Sequence, residues 1–315
     1  MKKKITIIGA GSVGAATAYA LLARNAASEV VLIDINVDKA LGEALDIKQA
    51  TPFLDNCDIY AGSYADAKDS DVVIITSGIG RKPGQTRLEL VQTNVRIIKG
   101  IASEITKYAP SALYVLVANP VDILTYAFLK YTGLPKNQVF GTGTVLDTIR
   151  LRTRLAEIYN VNKGQVHANV LGEHGDTSFV AWSSATIAGV PIDQYVDSIA
   201  SNRDIRAEYK REDIETYVKK SGGKIISRKG CTVYGIATTS MHIVKTLAGN
   251  AQTAMTVSSL HEGEYGLKDV CLSSLSLVGS DGVRSIITQP LSDDELKKLY
   301  ESAEALKAVI SGVEF

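Results

Sequence analysis

Gly9-Ala-Gly11-Ser-Val-Gly14 follows a short apolar run, Ile5 to Ile8, and opens an Ala/Leu-rich stretch from Ser12 to Arg24. Glycines at this spacing between a strand and a helix suit one kind of chemistry. The first permits a tight turn, the second lets the backbone approach a pyrophosphate, and the third lets helix and strand pack closely. The helix N-terminus then offers free N–H groups and a partial positive charge to phosphates. Asp34 stands 20 positions beyond Gly14, closing a second apolar run, Val30 to Ile33. A carboxylate there can accept both hydroxyls of a ribose and repels a 2′-phosphate, which points to NAD rather than NADP. The blander alternative is a glycine turn and an ordinary strand-terminal Asp; the strand–helix–strand setting argues against it.

Four further clusters carry groups for proton transfer and anion binding: Arg81-Lys-Pro-Gly-Gln-Thr-Arg87, Ala118-Asn119-Pro120-Val-Asp122, Leu146-Asp147-Thr-Ile-Arg150 and Gly172-Glu-His174-Gly-Asp176. Taken singly, each has a plain reading. A histidine in such a loop is more often structural, and an Asp and Arg at helical spacing usually form a surface ion pair. His242 and His261 have no comparable context and read as packing or surface residues. No histidine or cysteine spacing suits a metal, so none is expected.

These clusters fall where the pattern of elements places loops at strand carboxyl ends. Val72 to Thr76 and Tyr114 to Val117 are uninterrupted apolar strands of the kind that suits a parallel sheet covered on both faces. Helical spacing runs over Val91 to Lys107 and Val121 to Tyr131, completing the rhythm of a doubly wound α/β sheet. Beyond about residue 143 the rhythm changes. Helices are predicted from Leu146 to Tyr159 and from Asp204 to Lys220, and strands at Val166 to Val170, Thr177 to Trp182 and Val270 to Leu277. A capping box at Ser292–Glu295 opens a last helix.

Composition agrees with a folded protein of about two domains. The 315 residues are 45% hydrophobic and 22% charged, which excludes intrinsic disorder. Lys and Arg number 34, as do Asp and Glu, so no general polyanion binder is expected: no nucleic-acid partner. Three cysteines without CxxC spacing fit a reducing compartment better than a disulfide framework. No signal-peptide core and no run of 18 apolar residues is present. The expectation is a soluble, cytoplasmic protein without a membrane partner.

In this order, after this glycine loop, the four clusters closely resemble the L-lactate and malate dehydrogenase family over essentially the whole chain. The resemblance implies an NAD-binding Rossmann domain over residues 1–142 and a mixed α+β substrate domain over 143–315, with the active site between them. It implies that His174 exchanges a proton with a small 2-oxo or 2-hydroxy acid, that Asp147 orients the imidazole, and that Arg150 clamps the substrate carboxylate. Arg87 is then expected to polarise the carbonyl, on a loop whose Pro83-Gly84 turn lets it close. Asn119 is expected at both substrate and cofactor, and Gly9, Gly11, Val13, Gly14, Asp34, Gly78 and Asn94 along the NAD. A non-catalytic NAD-binding sensor is the alternative of another class, but it would not need His174, Asp147 and both arginines.

The substrate is the less determinate part. Arg81, just before Lys-Pro-Gly, stands where most lactate enzymes of the family have Gln and malate enzymes have Arg. A guanidinium over a methyl group would be buried unpaired, so it favours a dicarboxylate unless Glu89 neutralises it or it faces solvent. Thr86-Arg87-Leu88-Glu89-Leu90 and Thr232, in Lys229-Gly-Cys-Thr232, resemble the lactate branch instead. L-lactate dehydrogenase is therefore the first expectation and malate dehydrogenase the second. Arg152 and His167 match positions that, in bacterial lactate dehydrogenases, resemble an allosteric fructose 1,6-bisphosphate site between subunits. Arg152 is expected to point away from the active-site face. The family implies a homotetramer.

Overall fold

The computed structural model describes residues 3–54, 57–80, 84, 86–198 and 209–315, without the side chain of Arg87. The first part alternates as the apolar runs require: β1 (Lys4–Ile8), α1 (Ser12–Ala23), β2 (Glu29–Ile33), α2 (Val37–Lys48), β3 (Asp58–Ala61), β4 (Val72–Ile75), α3 (Arg87–Tyr108), β5 (Leu113–Leu116), α4 (Val121–Thr132) and β6 (Val139–Gly141). These six strands pair in parallel in the order β3-β2-β1-β4-β5-β6. β4 and β5 are buried throughout, which is why they read as unbroken apolar runs. Residues of α3, α4, β4 and β5 share one core cluster. α1 and α2 cover the other face with Leu21, Leu22, Ala40 and Ala44.

The chain then continues through α5 (Val145–Tyr159), β7 (Val166–His167), β8 (Val170–Leu171), β9 (Phe179–Val180), β10 (Thr186–Ile187), β11 (Val190–Pro191), α6 (Ile192–Tyr195), α7 (Arg211–Lys229), α8 (Tyr234–Ala248), β12 (Thr253–Glu262), β13 (Lys268–Gly279), β14 (Gly282–Ile286) and α9 (Asp293–Ser311). The sheet does not end at β6. Gly141 pairs with Ser258, so β12, β13 and β14 extend it as an antiparallel edge to nine strands. Gly141 makes this junction possible: a Cβ there would lie 2.6 Å from Thr125 Oγ1 and 2.7 Å from Val121 Cγ2.

Several expected boundaries move, each for a visible reason. α3 starts at Arg87, one turn before Val91. Thr86 and Glu89 form a capping box in which Glu89 Oε2 accepts from the Thr86 N–H at 2.8 Å. The strand expected over 166–170 is two short strands belonging to different small sheets. The helix expected to end at Lys220 runs on to Lys229 through Gly222 and Gly223, against their weak helix propensity. Its expected start at Asp204 lies outside the described residues. The last helix begins as expected, with Ser292 as its N-cap and Glu295 closing the box.

Candidate active site

The glycine loop is built as its sequence demands. Gly9 has φ +108°, a conformation that side chains disfavour, and its N–H donates to Ile33 O at 2.7 Å. A Cβ on Gly14 would lie 1.8 Å from Gly9 O, so the helix meets the turn only because both are glycine. Gly11 differs: no atom lies within 4 Å of a Cβ built there, so the backbone faces open space at the N-terminus of α1. Asp34 closes β2 and reaches back to the loop, Oδ2 accepting from Ala10 N–H at 2.6 Å and Oδ1 from Asn36 N–H at 2.9 Å. An exposed backbone cradle beside a carboxylate fits the pyrophosphate and ribose of NAD. Val13 is half-buried against the core beneath α1.

Opposite the glycine loop in sequence, the turns after β4 and β5 are tied together by one side chain. Asn94 Oδ1 accepts from Ile79 N–H at 2.9 Å, and its Nδ2 donates to Ile79 O at 3.1 Å and Asn119 O at 2.8 Å. The Asn94 side chain is fully buried beneath these two turns. It braces the two turns against each other. Gly78 and Asn119, by contrast, are exposed on those turns.

The acid–base group assembles from two elements. Asp147 and Arg150 lie one turn apart on α5, and His174 sits in the loop between β8 and β9. Asp147 Oδ2 lies 2.6 Å from His174 Nδ1, while Asp147 Oδ1 accepts from Arg150 Nη1 at 2.8 Å. One buried carboxylate thus serves both cations, and the side chain of His174 keeps 27% of its surface exposed. Burial opposes charge on the imidazole, but Asp147 and then Asp122 outweigh it, so the His174 pKa is raised. Burial likewise opposes charge on Asp147, and there His174 and Arg150 prevail and lower it.

The loop bearing His174 is held at both ends. Its Glu173 N–H donates to Ser302 Oγ at 2.7 Å, fixing the loop to α9, and within the loop Thr177 Oγ1 donates to Glu173 Oε2 at 2.7 Å. On the other side His174 N–H donates to Asp122 Oδ2 at 2.7 Å. Asp122 received no role from the sequence. Its signal was an acidic residue in the first turn of α4, a position that usually means helix-end electrostatics rather than a buried anchor.

The remaining expected residues are placed unevenly. Thr232 is half-buried between α7 and α8. Gly222 of α7 passes close to the Arg150 guanidinium, a Cβ there falling 3.9 Å from Nη2. Arg81 lies outside the described residues, as does the Arg87 side chain, although the Arg87 backbone opens α3. Arg152 is not a free surface arginine. It is half-buried, donating from Nε to Ala168 O at 3.0 Å and from Nη2 to Asn169 Oδ1 at 3.0 Å. His167, one residue before Ala168, is exposed. His261 is fully buried between Ser259 O and Ser274 Oγ, a packing role as expected.

Residues 3–141 match the family model described as lactate/malate dehydrogenase, NAD binding domain, and residues 144–315 match its alpha/beta C-terminal domain. The chain belongs to the lactate/malate dehydrogenase family. It is similar to an L-lactate dehydrogenase of Clostridium perfringens, with 45% identity over 99% of this chain and 97% of that one. An L-lactate dehydrogenase of Acetivibrio thermocellus is 46% identical over 98% of this chain and 96% of its own length. Among solved structures, the minor L-lactate dehydrogenase of Enterococcus mundtii in a ligand-bound form superposes with a TM-score of 0.93. It is 39% identical and covers 100% of this chain and 99% of its own. L-lactate dehydrogenase from Clostridium thermocellum gives a TM-score of 0.88 at 40% identity, with 100% of both chains covered. In this family member the NAD-binding domain carries the glycine loop, and the Asp147–His174 pair is supplied by the C-terminal domain.

Proposed function

We propose that the protein is an NAD-dependent L-lactate dehydrogenase interconverting pyruvate and L-lactate in the cytoplasm. The observation that carries this is the single carboxylate of Asp147 holding His174 and Arg150 together, a proton donor beside a carboxylate clamp. Gly11 and Asp34 would hold NADH, which would supply the hydride for the substrate carbonyl. His174 Nε2 delivers the proton to the carbonyl oxygen, because Asp147 engages Nδ1 and stabilises the charged ring. Arg150 orients the substrate carboxylate through the guanidinium N–H groups that Asp147 does not use. Arg87 would polarise the carbonyl, while Asn119 and Thr232 would border the substrate.

Arg81 supports one second reading, oxaloacetate as substrate, since a second carboxylate would pair it. Glu89 Oε2, the counter-ion the sequence offered, is engaged in the α3 capping box. Against this stand the lactate-type Thr232 and the names of the relatives. Turnover of pyruvate and oxaloacetate at equal concentration decides. Pyruvate is expected to be preferred, and a preference of about tenfold or more for oxaloacetate would overturn the lactate assignment.

The same reading extends to assembly and regulation. Val37, Leu41 and Leu45 lie exposed along one face of α2, and an open groove of about 990 Å³ beside it is lined by Tyr19, Ala20, Tyr234 and Met241. An apolar face of this kind supports a homotetramer, which light scattering tests. Arg152 and His167, joined through Ala168, support a fructose 1,6-bisphosphate effector site between subunits. The bisphosphate is expected to lower the KM for pyruvate. No effect on the parent protein would dismiss the effector, and an effect surviving Arg152→Ala would place its site elsewhere.

A further inference from the structure

Asp122 is 2% exposed, and its two oxygens are treated differently. Oδ2 accepts the His174 backbone N–H, while Oδ1 is buried without a hydrogen-bond partner. Ser258 Oγ on β12, also buried and without a geometric hydrogen bond, is near enough to this carboxyl to favour its ionised form. Anchoring a main-chain N–H requires only an acceptor, which an asparagine would supply without burying a charge. A buried carboxylate with one hydrogen bond is costly. The hydrogen bond therefore accounts for the oxygen and leaves the negative charge to be explained.

We propose that Asp122 is a positioning residue for His174, anchoring its main chain and adding a second negative charge to the one Asp147 supplies. This rests on His174 being the proton donor. The charged groups facing the imidazole are Asp147 and Arg150 from α5 and Asp122 from α4; Glu173, the preceding residue in the loop, bears on Asp122. Arg150 opposes the imidazolium and both aspartates favour it. Cys271 on β13 also feels Asp122, which with burial keeps its thiol protonated. Burial pushes Asp122 itself up to about 6, with Ser258, the His174 N–H and the His174 ring holding it down, so it is largely ionised at neutral pH.

Asp122→Asn keeps the acceptor and removes only the charge. The imidazolium then loses support, so the His174 titration moves to lower pH. The alkaline limb of pyruvate reduction and the acid limb of lactate oxidation should both shift down, by about half a pH unit or more. At the pH of the limbs, reduction slows while oxidation speeds up. A structural role alone would depress both directions at every pH with the limbs unmoved, and that outcome overturns the proposal. If the variant does not fold, the unaltered protein carries the test. Histidine-selective ¹⁵N labelling follows only four residues. The His174 amide should show an inflection near pH 6 as Asp122 titrates, and the His174 ring should respond at the same pH. A ring that ignores that step overturns the proposal as well. Failure of the underlying reading looks different: His174→Ala would then retain near-normal turnover.

Discussion

Arg150 Nη1 sits 2.8 Å from Asp147 Oδ1, so the substrate clamp and the histidine's orienting carboxylate form one unit on a single turn of α5. The pairing pre-sets the guanidinium plane while leaving most of its five N–H donors for a carboxylate. A lysine at 150 could keep the ion pair with Asp147 but offers no planar fork. Arg150→Lys is therefore expected to raise the KM for pyruvate by about tenfold or more, with NADH affinity unchanged. Steady-state kinetics and NADH fluorescence titration check it; an unaltered KM would remove Arg150 from the carboxylate site.

His174→Ala removes the proton donor and leaves the glycine loop and Asp34 intact. Turnover should fall by at least about 10²-fold, while NADH binds as before. In the parent protein, pyruvate reduction needs charged His174, whose pKa the aspartates raise. Its rate is accordingly expected to hold through neutral pH and fall only above the ordinary histidine value, and lactate oxidation to rise over the same range. A reduction rate that already fell below that value would contradict the raised pKa.

Gly11 and Gly14 separate cofactor binding from folding within one motif. A methyl at 14 collides with Gly9 O, a backbone atom that cannot swing aside, whereas a methyl at 11 meets nothing among the described residues beyond its chain neighbours. Gly14→Ala should lower the melting temperature sharply. Gly11→Ala should melt close to the parent yet lose NADH affinity by about tenfold or more, because its methyl occupies the space where the pyrophosphate approaches. Equal NADH affinity in Gly11→Ala and parent would argue that the dinucleotide does not lie over this turn.

What was legible in the sequence follows from how local each signal is. The parallel strands showed because both faces of β4 and β5 are buried, and the glycine loop because its residues touch one another within six positions. The start of α3 is spelled out too, in the same T/S-x-x-E form that marks α9, but the apolar spacing begins only at Val91. The role of Asp122 and the bracing by Asn94 were not legible. They depend on contacts across 52 and 25 positions, and nothing in the local pattern of NPVD or QTN announces them. The joining of β12 to β6 through Gly141 is of the same kind.

Arg81 gives a prediction that separates the two substrates. If its guanidinium faces the substrate side chain, Arg81→Gln should weaken oxaloacetate turnover far more than pyruvate turnover, since only the dicarboxylate gains a charge-assisted pair. The ratio of the two kcat/KM values, measured in parent and variant, reports this directly. An equal change for both acids would show that Arg81 points away from the substrate.

The Asp147–His174 pair also leaves a mark on stability, with a sign fixed by its two pKa shifts. His174 is raised in the folded protein, so its contribution is complete below the unfolded value, about 6.5, and fades as pH rises through the folded value. Asp147 is lowered, so its contribution is complete above the unfolded value, about 3.9, and fades as pH falls through the folded one. Both are fully present between those limits. His174→Gln removes the titrating partner while keeping a side chain of similar reach, and the other three histidines cancel in the comparison. The stability of the parent minus that of the variant, from urea midpoints, should therefore be largest at about pH 5 to 6 and shrink steadily toward pH 9. A difference independent of pH across that range would mean that the imidazole gains no charge stabilisation from Asp147, and the acid–base assignment would lose its electrostatic basis.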